Sequence, residues 1–206
     1  MRLALAREQG PWHRSPWRPA RPDEGGAAHQ MPPWLQERLF DQRMVMVSGA
    51  LTTAPASEAA AALLALDALA AEPVGLQLAT PDGELAAAFT LIDVLDSMRS
   101  PVNAVITSMT GAAGVGVLMA TTRRSAYPHA RIRLAEPRAT VTDGTADQVA
   151  AAAGHYLREL EALVLRIVER TGQSRSRVED DLSAQRVFSA QEAVAYGLLD
   201  DVISGR

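Results

Sequence analysis

The chain has 206 residues, 48% of them apolar, a formal net charge of −4 and no cysteine. That length holds one domain of moderate size and a tail, with enough apolar residues for a sizeable core. The mild acidity gives no electrostatic reason to expect a nucleic-acid partner, and the missing thiols exclude disulfides, thiolate metal sites and cysteine nucleophiles.

Residues 1–33 are dense in Pro, Arg and Trp and show no periodicity, which predicts a flexible N-terminal tail. Trp12 and Trp17 interleave there with Arg14, Arg18 and Arg21; they read either as a docking motif for a partner or as incidental residues of a disordered leader. Order is expected from "PPWLQERLF" (32–40), a short helix opened by Pro. "RMVMVSGAL" (43–51) reads as a strand. Residues 54–71 read as a helix with Ser57 as N-cap. "VGLQLAT" (74–80) is a second strand and "PDGE" (81–84) a turn. Residues 85–100 form an amphipathic helix, with Leu85, Phe89, Ile92 and Leu95 at helical spacing. "PVNAVITSMT" (101–110) is a third strand, followed by a small-residue elbow and a short buried helix, "GVLMATTRR". "RIRLAEP" (131–137) is a fourth strand, and 145–172 one long helix closed by Gly172. Two shorter helices follow, 174–183 and 189–197, the second with Ser189 and Glu192 as a capping box and Gly197 as its stop. Helical crossovers between strands require parallel pairing. The predicted fold is therefore α/β, an open sheet flanked by helices.

The elbow "TSMTGAAGVGVLMA" (107–120) poses the functional question. A strand-to-helix turn of this kind usually presents a nucleophile, and here its tip is Gly114, which has no side chain. The four histidines, His13, His29, His129 and His155, are far apart and show no ligand spacing, so neither a metal nor a cofactor is expected. No apolar run reaches the roughly 20 residues that span a bilayer, and the apolar part of "MRLALAREQG" is too short for a secretion signal. A cytoplasmic protein without a membrane partner is expected.

The layout and several motifs resemble the proteolytic subunits of the Clp protease family, within the crotonase-like fold group, over roughly residues 34–203. The most specific segment is "RTGQSRSRVEDDLSAQRVFSAQEAVAYGLLDDVI"; "ATPDGE", "SMTGAAGVG" and "RLAEP" lie where the family has its Gly-rich turn, its nucleophile elbow and the end of its His-bearing strand. The resemblance implies one domain over 34–206, with an open β-sheet core, flanking helices and a protruding handle helix at about 145–172.

It also implies a serine-peptidase site, and the residues depart from it. The nucleophilic Ser falls on Gly114, the general-base His on Ala135 and the orienting Asp on Gln185. A serine hydrolase needs a hydroxyl, an imidazole to take its proton and a carboxylate to hold the tautomer. Ser108, Thr110, His129 and His155 do not rebuild one: His129 precedes Ala135 by six residues, roughly 20 Å along a strand. The family's oxyanion-hole donors fall on Gly83 and Val115, where small residues are kept either for close packing or for a ligand. Glu84 and Glu136 are candidate acid/base groups, or are acids that are solvated or paired with a neighbouring Arg such as Arg133 or Arg138.

The family assembles as stacked heptameric rings served by unfolding ATPases. Val149, Tyr156, Leu160, Leu163 and Ile167 form one apolar face of the long helix, read either as handle contacts or as cover for the protein's own core. Ser183 and Ala184 replace an inter-ring charged pair, and Gly75 and Gln77 replace the Tyr residues of the ATPase-docking pocket, which weakens that partner. The expectation is a catalytically inactive Clp proteolytic-subunit homologue, structural or regulatory in a homomeric or mixed ring. The alternatives are a crotonase-like enzyme using Gly83 and Val115 with Glu84 or Glu136, and a free-standing protein-binding module.

Overall fold

The computed structural model describes residues 32–139 and 144–203. The readings for Trp12, Trp17 and most of the tail therefore lie outside the described residues. The chain runs α1 (Pro33–Asp41), β1 (Met44–Ser48), α2 (Thr53–Leu69), β2 (Val74–Ala79), α3 (Leu85–Ser97) and β3 (Val102–Ile106). It continues through β4 (Met109–Gly111), α4 (Ala113–Met119), β5 (Arg123–Ala126), β6 (Arg131–Arg133) and α5 (Ala146–Thr171). The last elements are α6 (Arg175–Ser183), β7 (Val187–Ser189), α7 (Ala190–Tyr196) and β8 (Asp201–Val202).

Five strands form a parallel sheet in the order β1-β2-β3-β5-β8. Burial alternates along its central strands: Val74, Leu76 and Leu78 point into the core, while Gly75, Gln77 and Ala79 lie half-exposed on the other face. A parallel sheet covered on both faces reads as an unbroken apolar run; this one alternates because only one face is fully packed. The inward side chains join α2, α3 and α4 in a single apolar cluster, filled at the helix contacts by alanines such as Ala56, Ala59, Ala87 and Ala88. A second sheet, β4-β6-β7, pairs β4 with β6 parallel and β6 with β7 antiparallel, and it carries the elbow.

Several local readings need correction. Ser57 is not the N-cap of α2: the helix starts a turn earlier, after Thr52, because Pro55 is tolerated in a first turn whose N–H groups have no partner anyway. Residues 101–110 are two strands in two sheets, broken after Ile106. Arg123 and Arg124 belong to β5, not to the buried helix. Arg124 is buried there because its guanidinium reaches Asp200 and the Gly197 carbonyl at 3.0 Å. The long helix and both later helices stand where the sequence put them. Gly172 and Gly197 are left-handed caps with φ of 70° and 95°, and Ser189 and Glu192 form their capping box.

Candidate functional site

The elbow joins β4 to α4 through Ala112, whose φ of 45° and ψ of −118° are disfavoured for a residue with a β-carbon. The turn is held because the Gly111 amide donates to the Thr80 carbonyl at 2.8 Å and the Ala112 amide to the Arg133 carbonyl at 3.3 Å. All seven residues of α4 are buried. Its glycines are demanded by packing: a β-carbon at Gly114 would stand 2.1 Å from Thr80 Oγ1 and 2.9 Å from Thr110 Cγ2, and one at Gly116 would stand 2.7 Å from Leu163 Cδ1. Thr80 and Thr110 are fully buried and neither hydroxyl has a hydrogen-bond partner. The Thr80 hydroxyl thus fills the space that a side chain on Gly114 would need.

The other two degenerate positions are equally bare. Ala135 is buried just past β6. Gln185 is exposed beyond the end of α6 with φ of 52°, and beside it Arg186 pairs with Asp181 at 3.0 Å. His129 is exposed, and His155 faces Glu159 one helical turn on at 3.3 Å. Among the described residues no histidine is hydrogen-bonded to a hydroxyl.

The amides of Gly83 and Val115, the two candidate oxyanion donors, both have partners within the chain. The Gly83 amide donates to Asp82 Oδ1 at 2.8 Å, and the Val115 amide to the Ala112 carbonyl at 3.1 Å. Gly83 is walled in besides: a β-carbon there would meet Leu51 Cβ at 2.7 Å and Ala113 Cβ at 3.0 Å. Its carbonyl accepts from the Arg138 amide at 2.9 Å, and the Leu85 amide donates to the Arg138 carbonyl at 3.2 Å.

Of the alternatives for Glu84 and Glu136, pairing with Arg133 or Arg138 is not found, because both arginines are engaged elsewhere. Arg138 Nε lies 3.1 Å from Asp82 Oδ2, and Arg133 donates to the Pro81 carbonyl at 2.8 Å. Among the described residues neither Glu84 nor Glu136 forms an ion pair. Burial, aided by the charge of Glu136, pushes the Tyr156 hydroxyl up from its ordinary range, and that hydroxyl donates to the Pro137 carbonyl at 2.7 Å. The sequence reading missed Thr80 and Asp82, and it set Arg138 beside other acids than the Asp82 it meets. One signal was present: an Asp at a turn commonly bonds to backbone just ahead of it, and "PDG" places one immediately before the amide in question.

The apolar face of α5 divides along its length. Leu163 and Ile167 are buried in the protein's own core, Tyr156 and Leu160 are partly buried against it, and Val149 is 48% exposed. An open groove of about 550 Å³ runs beside the first half of the helix, lined by Leu85, Ala86, Arg138, Val149, Ala153 and Leu157 among others. On β2, Gly75 and Gln77 lie on the half-exposed sheet face, and Met44 Cγ sits 3.4 Å from where a Gly75 β-carbon would be. Among the described residues no helix is long and apolar enough to cross a membrane.

Residues 31–206 match the model of the family described as Clp protease. The chain is 31% identical over 185 residues to the ATP-dependent Clp protease proteolytic subunit 1 of Chlamydia muridarum, covering 87% of this chain and 96% of that one. It is 28% identical over 176 residues to the ATP-dependent Clp protease proteolytic subunit of Streptococcus pneumoniae, covering 82% and 89%. The subunit of Streptococcus agalactiae is similar at 29% over 175 residues, covering 82% and 88%.

Proposed function

This chain belongs to the Clp protease family, and we propose that it is a member without peptidase activity of its own, a structural or regulatory component of a Clp-type ring. The observation that carries the reading is Gly114: the elbow is built, strained at Ala112 and buried, yet its tip has no atom that could form an acyl-enzyme. Ala135 offers no proton acceptor and Gln185 no carboxylate. Where single triad losses cost several powers of ten in rate, only the oxyanion hole and binding sustain the remainder. Here both candidate donors of that hole are spent on Asp82 and Ala112.

The family frame gives the protein a role as a neighbour rather than a catalyst. The exposed first half of α5, with Val149 and Leu157, is the surface offered to another subunit of the family, and Gly75 and Gln77 leave a poor seat for an ATPase's apolar loop. The cytoplasm, where unfolding ATPases have ATP, is the compartment this role requires. The crotonase-like reading loses its support with the engaged Gly83 amide.

Two experiments test the proposal. The purified chain is offered a fluorogenic peptide and a fluorophosphonate; turnover or serine labelling above that of a contaminant control rejects inactivity. The chain is also co-expressed with an intact Ser/His/Asp family member and the assembly weighed by native mass spectrometry. Mixed rings are the expected product, and two unmixed populations reject the ring role.

A further inference from the structure

The turn that packs against the elbow is held by contacts made within the chain. We propose that Asp82 is a ligand carried in cis: its carboxylate takes the place beside the Gly83 amide and the Arg138 guanidinium that an external carboxylate would occupy, and the contact latches the segment 82–85 to Arg138. Each carboxylate oxygen has its own partner. Oδ1 accepts from the Gly83 amide at 2.8 Å, and Oδ2 forms an ion pair with Arg138, its Nε at 3.1 Å. A backbone N–H on one oxygen and a guanidinium charge beside the other are groups that an external carboxylate also seeks.

The same arginine holds the segment with its backbone. Its amide donates to Gly83 O at 2.9 Å and its carbonyl accepts from the Leu85 amide at 3.2 Å, a parallel bridge of Glu84 with Arg138. Gly83 O and Leu85 N are both satisfied by these bonds within the chain. From the other side Arg133 holds the turn through the Pro81 carbonyl at 2.8 Å. The contact is a latch rather than a core bond: the Arg138 and Asp82 side chains are 56% and 37% exposed, so solvent screens the pair and solutes reach it. Leu85, Ala86, Arg138 and Ala139 also line the groove beside α5.

The test uses the full chain with Asp82→Ala, Asp82→Asn and Arg138→Gln, read by amide hydrogen exchange and by the Gly83 amide resonance under sodium acetate, with sodium chloride at equal ionic strength as control. In Asp82→Ala, exchange at Gly83, Leu85 and Arg138 is expected to rise about tenfold, the loss of one ordinary hydrogen bond. Acetate, and not chloride, then moves the Gly83 resonance, while the unmodified chain does not respond. Asp82→Asn keeps an acceptor for Gly83 but no charge for Arg138, so it raises exchange at Leu85 and Arg138 more than at Gly83. Arg138→Gln raises exchange at Leu85. Amides of Leu76 and Val105 in the central strands report that each variant is folded. Unchanged exchange at Gly83 and Leu85 in folded Asp82→Ala, or an equal acetate response in the unmodified chain, overturns the proposal. None of these readouts involves turnover, so the inactivity reading stands or falls apart from them.

Discussion

Thr80 Oγ1 stands 2.1 Å from where a β-carbon on Gly114 would be. The two residues therefore exclude each other: either the elbow tip carries a side chain or Thr80 keeps its rotamer. Gly114→Ser alone is expected to destabilise the fold by about 1–3 kcal/mol, the cost of overpacking a filled core. Thr80→Ala removes the clashing oxygen, so the double variant is expected to lose less than the sum of the singles, with a coupling of about 1 kcal/mol or more. Urea unfolding of the four chains measures this; additive losses would show that the two sites are independent. None of the four is expected to react with a fluorophosphonate, because Ala135 supplies no base.

Asp200 ties β8 to β5 through Arg124 and through the Arg124 amide at 2.7 Å. Partial burial alone would raise its carboxyl, but hydrogen bonds and charge from Arg124, helped by Arg170, more than reverse this and hold it below the usual carboxylate range. A depressed folded-state value means stability that is full above the unfolded value, about 3.9, and is lost as pH falls through the folded one. Asp200→Asn is expected to cost on the order of 1 kcal/mol near neutrality, a modest figure because Asp200 is 38% exposed. The gap from the unmodified chain is expected to narrow as pH falls below about 4. Thermal unfolding from pH 7 to pH 3 checks it; a gap as wide at pH 3 as at pH 7 refutes the assignment.

Gln185 sits at φ of 52° just after α6, exposed and without a side-chain role in the ladder. Glycine adopts that conformation without strain. Gln185→Gly is expected to stabilise the chain by up to about 1 kcal/mol, and Gln185→Asp to restore no activity. Equilibrium denaturation and the peptide assay read the two outcomes.

The two halves of α5 are expected to respond differently. Ile167→Ala removes a fully buried side chain and is expected to cost about 2–5 kcal/mol in unfolding free energy. Leu157→Asp changes a residue that is 62% exposed and is expected to leave the isolated chain within about 0.5 kcal/mol. If that surface meets another subunit, the same change lowers the assembled mass seen by light scattering. An unaltered assembly with Leu157→Asp refutes the contact.

Where local chemistry decides, the sequence was legible. The stops at Gly172 and Gly197 and the box of Ser189 with Glu192 need only their own neighbours. Where the deciding partner is remote, it was not. Arg123 and Arg124 look like a helix end until Asp200 and Asp201 arrive from the far end of the chain to pair with them. The run 102–110 hides the switch from one sheet to another after Ile106, because no Gly or Pro punctuates it. At the site, the small residues 111–116 announced the turn between β4 and α4. That the Gly83 amide is occupied depends on Asp82 next to it and on Arg138 brought in by β6, and no spacing rule announces such a meeting.

At 26 residues α5 is about 39 Å long, yet no residue of it before Leu163 is buried. Its first turns are helical by virtue of their alanines and the box of Thr145 with Gln148, and the Tyr156 hydroxyl on Pro137 is the main strut beneath them. The helix is thus anchored by its second half, where Leu163 packs over Gly116 of α4, and carries its first turns past Tyr156 with little of the core beneath them. Leu163 is where a displacement of α5 would first meet the glycines behind the elbow.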